Sequence, residues 1–302
     1  MRKVLRLAAI TSLVLATVVM GAGAAGAAET HHPQSNTCSG TVTSPGTLAG
    51  VYRGNVVVTG VCAVDGGAAV IKGNLIIAPG AALNATFALN DVTGTGTSSL
   101  TVFGNVIVGS GAVMAMGCEP NFFPCSDDPN AGTGGTLTGH NHVFGNVAAS
   151  QALTVITHAS KINGNLNYIG GGGGVTCAVP TTGILAALQS PPYFDAENNT
   201  IGGSLTISGL QTCWMGALRN QIRGNVLVLK NTMADPDASE VLTNRVNGSI
   251  ACFSNSPAVQ YGDAAAASPN QVRGFAFGEC AFNVRQPSPA PNGPLEPISV
   301  KI

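Results

Sequence analysis

Apolar and polar positions along this chain fall into a short phrase that recurs nine times: aliphatic, any residue, Gly, usually Asn, aliphatic. It reads Tyr52-Arg53-Gly54-Asn55-Val56, Ile71-Lys72-Gly73-Asn74-Leu75 and Val102-Phe103-Gly104-Asn105-Val106. It returns as Val143-Phe144-Gly145-Asn146-Val147, Ile162-Asn163-Gly164-Asn165-Leu166, Ile201-Gly202-Gly203-Ser204-Leu205 and Ile222-Arg223-Gly224-Asn225-Val226. Val246-Asn247-Gly248-Ser249-Ile250 and Val272-Arg273-Gly274-Phe275-Ala276 complete the series. After each phrase the aliphatics alternate, so that residues 52, 56 and 58, or 71, 75 and 77, share one face, as on strands. A fixed phrase at a fixed spacing of roughly 20 residues is the mark of a solenoid, and the strand periodicity makes it a β-solenoid.

Successive repeat glycines are 19, 31, 41, 19, 39, 21, 24 and 26 residues apart. With a unit near 20 residues, the spacings of 41 and 39 read as two coils each, and that of 31 as one coil with an excursion. Gly is expected at a sharp corner, where it accepts positive φ and Asn tolerates it. The Asn side chain donates and accepts, so Asn55, Asn74, Asn105, Asn146, Asn165 and Asn225 are expected to bond to one another from coil to coil. The expected fold is all-β: a right-handed parallel β-helix with loop excursions. Met116 to Gly135 reads as such an excursion, Gly170 to Gly174 as a flexible run, and Ile184 to Gln189 as a helical turn before Pro191-Pro192.

The ends change the picture. Arg2, Lys3 and Arg6 precede an apolar stretch from Leu7 to Met20 and a small-residue region to Ala28, which together read as a secretory signal peptide over 1–28. A short flexible start over 29–36, the solenoid over 37–282 and a Pro-rich tail over 283–302 follow. No later segment is long and apolar enough to span a bilayer. Cleavage would remove three of 13 basic residues and none of 14 acids, leaving a net charge of −4, which speaks against a nucleic-acid partner. Eight cysteines lie beyond the leader, an even number that suits disulfides in an oxidising compartment. They allow about a hundred pairings. Only neighbouring coils touch in a solenoid, so sequential pairing is the simplest: Cys38–Cys62, Cys118–Cys125, Cys177–Cys213 and Cys252–Cys280. The competing zinc reading lacks a Cys-x-x-Cys pair.

The signal peptide, the Cys38…Pro45-Gly46…Gly54-Asn55-Val56-Val57-Val58…Cys62 opening and the Gly-Asn-aliphatic coils through Gly274 together resemble the secreted right-handed parallel β-helix proteins of actinobacteria. The resemblance covers most of the chain beyond the leader. It implies the fold and an extracellular or cell-surface setting, and implies little about function.

Candidate chemistry falls outside the structural positions of the repeat. The residue before each repeat glycine is expected to point outward, and this column holds Arg53, Lys72, Phe103, Phe144, Arg223 and Arg273. With coils about 4.8 Å apart, it forms a basic and aromatic stripe suited to an anionic or sugar polymer, or simply a solvated face. Asp195 and Glu240 share a phase, eight residues before their glycines and two coils apart, so about 10 Å from each other. They are the weak catalytic candidates for a polysaccharide lyase or glycoside hydrolase, with Glu197, Asp235 and Asp237 nearby, all in stretches that read as loops. His140 and His142 alternate on a strand, and His158 is expected to approach them; the three would make a metal site only if they converged. Gly94-Thr95-Gly96-Thr97 lacks the lysine of a phosphate loop, and nothing else calls for a cofactor or a metal. The sequence therefore points to a secreted structural or binding protein for wall or extracellular polysaccharide, with self-association through the solenoid ends as a further option. A carbohydrate-active enzyme is the alternative.

Overall fold

The computed structural model describes residues 36–118, 141–262 and 267–285. Short parallel strands stack into a β-helix with three long sheets. Sheet 1 has ten strands, from Thr37–Cys38 through Val56–Val58 to Ala276–Gly278, and follows the repeat glycine in each coil. Sheet 2 has eight, from Gly46–Thr47 to Glu240–Leu242. Sheet 3 has ten, from Gly50–Tyr52 to Val284–Arg285, and leads into the repeat phrase. A two-stranded sheet, Gln211–Thr212 with Thr232–Met233, adds a fourth side to two coils.

The alternation in the sequence becomes the interior. Tyr52, Ile71, Val102, Val143, Ile162, Ile201, Ile222, Val246 and Val272 are in register on sheet 3 and buried. Val56, Leu75, Val106, Val147, Leu166, Leu205, Val226 and Ile250 form the matching column on sheet 1. The residues that share a face across the phrase therefore lie on two strands joined by a bend at the glycine.

The spacings of 41 and 39 residues are not two coils each. Val106 pairs directly with Val147, and Leu166 with Leu205, so each spacing is a single coil carrying a long insertion. One insertion leaves sheet 2 after Val113–Met116; its residues 119–140, including Cys125 and His140, lie outside the described residues. The other leaves sheet 1 after Leu166–Ile169, contains a helix at Gly183–Leu188 and rejoins at Tyr193–Glu197. Its glycine run is not a flexible tether. Gly170, Gly172 and Gly174 donate backbone bonds to Ser208, Ala152 and Gln211 of adjoining coils. All five glycines have positive φ, and a Cβ on Gly172 would strike Thr212 and the Gln211 backbone.

The repeat glycines, by contrast, do not have positive φ. Their need for a bare Cα is a matter of close approach. A Cβ on Gly145 would lie 2.5 Å from the Gly104 carbonyl oxygen and 2.6 Å from Asn105 Oδ1, and Gly104 meets the coil before it in the same way. The left-handed corners fall elsewhere, at Asn198, Arg219 and Thr243 between sheets 2 and 3, and at Gln151, Lys230 and Ser254 after sheet 1.

Asparagine ladders hold the coils together. At the glycine corner Asn74, Asn105, Asn146 and Asn165 each donate from Nδ2 to the Oδ1 of the preceding Asn, at 3.0–3.3 Å. Ser204 and Ser249 alternate with Asn225 to carry the column on through backbone N–H donors. Two further ladders lie inside. Asn199, Asn220, Asn244 and Asn270 bond in series at 2.9–3.0 Å, all fully buried. Asn231, Asn255 and Glu279 form the other.

Disulfides join Cys38–Cys62, Cys177–Cys213 and Cys252–Cys280. The fourth expected pair, Cys118–Cys125, reaches outside the described residues. Among the described residues no helix is long and apolar enough to cross a membrane. Both findings suit an extracellular protein.

Candidate functional site

The three sheets carry different side-chain chemistry on their outer faces. No strand of sheet 1 contains a charged residue. Sheet 2 carries Asp195, Glu197, Glu240 and His158. Sheet 3 carries His142, Lys161 and Arg245 in one register-matched row, with no acid in any of its described strands.

The corner from sheet 3 to sheet 1 bears the expected stripe. Backbone bonds from Lys72 to Tyr52, Phe103 to Ile71, Phe144 to Val102, Arg223 to Ile201 and Arg273 to Val246 align it coil after coil. Arg53, Lys72, Phe103, Phe144, Arg223 and Arg273 are all exposed. Its N-terminal part is a stack. Lys72 Nζ lies 3.7 Å from the Phe103 ring centre, Phe103 stacks on Phe144 at 4.7 Å and 7°, and Phe144 stacks on His142 at 4.0 Å. The ring faces are thus covered by one another and by an ammonium, which leaves edges and cations to solvent. With Lys161 and Arg245 beside it, the corner and sheet 3 present one sign of charge along most of the solenoid.

The acids of sheet 2 are not in loops as the sequence suggests. Asp195 and Glu197 are on the strand Tyr193–Glu197, and Glu240 opens Glu240–Leu242. Register places Asp195 opposite Gly216, and Gly216 opposite Glu240, so the two carboxylates are two coils apart as the repeat phase requires. All three acids point outward by strand alternation yet are buried to 5% exposure or less. A Cβ at Gly216 would collide with the Trp214 indole and come within 2.8 Å of Asp195 Oδ1, so the missing side chain makes room for both. Trp214 Nε1 donates to Glu240 Oε1 at 3.4 Å, and its ring meets Tyr193 edge-on.

Beside this pair, His158 Nε2 is 2.8 Å from Asp195 Oδ2. Glu197 is ion-paired with Arg219, whose Nε donates to Asn198 Oδ1 at 3.2 Å. On the inner side Tyr168 Oη bonds Thr157 Oγ1 at 2.7 Å and donates to the Asp195 carbonyl at 3.1 Å. Burial pushes the Tyr168 phenol far above its ordinary range, and the Asp195 charge adds to the shift. Ligand atoms of His158, Asp195 and Glu197 lie within 4.8 Å of one another, close enough to share a divalent cation. The Arg219 guanidinium on Glu197 already supplies a positive charge there. Chemically the cluster can share a proton between His158 and Asp195, and it neutralises buried charge pairwise.

The expected histidine cluster does not form. His142 is on sheet 3, bonded to Asn163 Oδ1 at 3.1 Å, whereas His158 is on sheet 2 with Asp195. Asp235 and Asp237 lie in the turn between sheets 1 and 2, joined by the Asp237 N–H donating to Asp235 Oδ1. A side-chain hydrogen bond with Asp235, and after it a bond from its own backbone N–H, hold the exposed Asp237 carboxyl below its usual range.

No protein-family model, curated protein sequence or solved structure matches the chain.

Proposed function

We propose that this is a secreted β-solenoid that binds an anionic wall or extracellular polysaccharide along sheet 3 and its basic corner. The observation that carries the reading is the single-sign face. Arg53, Lys72, Lys161, Arg223, Arg245 and Arg273 recur at coil spacing, with no carboxylate on any described strand of sheet 3 or at the corner position. In a chain of net negative charge beyond its leader, that clustering concentrates positive potential on one side. Cations repeated at multiples of about 4.8 Å suit a polymer with repeating anionic groups better than a single small ligand. The covered ring faces of Phe103 and Phe144 favour charge-led binding over stacking on sugars.

Retention of the secreted chain on purified cell wall should fall as salt rises, because exposed charge pairs are screened. Arg223→Ala with Arg273→Ala should weaken retention several-fold. Retention that ignores both salt and the double substitution would remove this reading.

A second reading, a carbohydrate-active enzyme, is favoured by one observation: His158 and Asp195 share a short hydrogen bond beside buried acids on sheet 2. Incubation with a panel of glycans separates the two readings. Product release abolished by Asp195→Asn supports the enzyme, and retention without product supports the binding protein.

A further inference from the structure

We propose that Tyr193 and Trp214, on the outer face of sheet 2, form a binding site for a neutral saccharide, separate from the charged face of sheet 3. Register sets the two residues opposite each other on adjoining coils, where Tyr193 opens the strand Tyr193–Glu197 and Trp214 opens Trp214–Leu218. Their rings meet edge-on with centres 6.2 Å apart, and both residues are half-buried. The protein holds the pair in place from several sides. Gly216 leaves the space that the indole occupies, and Glu240 accepts from its Nε1. The insertion that rejoins at Tyr193 is anchored next to both residues. Its Pro192 carbonyl accepts from Thr212 Oγ1 at 2.8 Å and from the Cys213 N–H at 3.2 Å, and Cys177–Cys213 ties it to the residue before Trp214. Rings fixed in this way need little ordering when a ligand arrives.

Three features select the ligand. The first is ring surface. At the basic corner both faces of Phe103 and Phe144 are covered by other rings or by an ammonium. Tyr193 and Trp214 do not stack on each other, and both keep exposed surface for the weakly polar C–H groups of a pyranose ring. The second is charge. Asp195, Glu197 and Glu240 on sheet 2, with Asp235 and Asp237 in the turn of the next coil, outnumber His158 and Arg219, so this face repels an anionic polymer. The third is a polar rim. The Asp235 N–H donates to the Cys213 carbonyl at 3.1 Å, which sets that turn beside Trp214, and Asp237 is exposed there. Its carboxylates accept hydroxyl protons, which a sugar supplies and an apolar ligand does not. Two half-buried rings also offer far less area than the roughly 800 Å² per partner of a standard protein interface, so the site suits a ligand unit of ring size.

Trp214 is the only tryptophan of the chain, so its emission reports this site alone. The test is fluorescence titration of the secreted chain with neutral hexasaccharides of glucose, N-acetylglucosamine and mannose, and with oligogalacturonate as the anionic counterpart. At least one neutral hexasaccharide should change the Trp214 emission saturably, equally at low and high salt, because the contact is uncharged. Oligogalacturonate should leave the emission unchanged. By calorimetry, Trp214→Leu, which keeps apolar bulk over Gly216 without a ring, should weaken binding about tenfold or more. Tyr193→Leu should weaken it several-fold with an unchanged melting temperature, and decides the matter if Trp214→Leu does not fold. Arg223→Ala with Arg273→Ala should leave neutral-sugar binding as it is. An emission that no neutral hexasaccharide changes overturns the proposal, as does a response to oligogalacturonate alone, or binding that survives the leucine substitutions. Each of those results leaves the sheet 3 reading standing, whereas wall retention that ignores salt removes the sheet 3 reading and leaves this site.

Discussion

The same side chain holds the coils together in two places under opposite conditions. At the glycine corner, Asn55 through Asn165 form a ladder that solvent can reach. Between sheets 2 and 3, Asn199, Asn220, Asn244 and Asn270 form one that it cannot. Each outer Asn bonds its neighbour's side chain and backbone N–H. Each inner Asn also donates to a carbonyl of the coil before, as Asn220 Nδ2 does to Ala196 at 2.7 Å and Asn244 to Ala217 at 2.7 Å. The outer ladder can exchange a lost bond for one to water. The inner ladder cannot, so it should carry the larger share of the stacking energy.

The sharpest way to break that contrast is Asn220→Ala. It takes the partner of the Asn199 backbone N–H away in a dry interior and removes one bond each from Asn199 Nδ2, Asn244 Oδ1 and the Ala196 carbonyl, and should cost about 3 kcal/mol in denaturant unfolding. Asn105→Ala removes the matching member of the outer ladder and should cost about 1 kcal/mol, since water replaces its bonds. Equal losses at the two positions would mean that burial does not separate the ladders.

A third substitution sharpens the inner side. Asn199 Nδ2 also reaches Thr157 Oγ1, which bonds Tyr168, so the phenol extends the buried network. Because burial raises its pKa, the folded protein keeps the Tyr168 proton at a pH where the unfolded chain releases it. Unfolding is then favoured as pH rises above the ordinary tyrosine value of 10.0, and stability should fall there rather than rise. Tyr168→Phe should cost about 1 kcal/mol at neutral pH and flatten that alkaline decline, read from melting temperature against pH.

The outer ladder is legible in the sequence because its Asn follows an invariant landmark, the repeat glycine. The inner one has a landmark too: Asn141, Asn199, Asn220, Asn244 and Asn270 each stand four residues before a repeat glycine. That spacing is easily passed over, because the residue before the Asn varies freely at Asn198, Arg219 and Thr243 while its backbone is left-handed. The glycine itself is placed correctly and explained wrongly. Its neighbour is the coil beneath, and a contact between coils leaves no trace in the residues flanking it. The long spacings mislead for a related reason: an insertion and an extra coil have the same length, and only pairing such as Val106 with Val147 tells them apart.

The candidate sites divide along similar lines. Arg53, Lys72, Arg223 and Arg273 are found because one repeat position defines them. Asp195 and Glu240 are found by phase, but their burial is not. Asp195 and Glu197 alternate with the core residues Phe194 and Ala196, but two acids within five residues look like a loop, and only pairing with the coils on either side shows the strand. His158 reads as a partner for His142 because sequence distance counts coils and not sides of the coil.

The disulfides have a consequence for how such a stack comes apart. Layers in the middle are held from both sides, whereas a terminal layer has one neighbour and is the natural place for peeling to begin. Here Cys38–Cys62 pins the opening coils, and Cys252–Cys280 ties strand Ile250–Phe253 to the short 3₁₀ turn Glu279–Asn283 of the coil that follows it. Neither end is free to unzip. In an oxidising medium the molecule must rupture as a body or not at all, while a reductant would give back two loose ends and turn one cooperative event into gradual erosion from the tips.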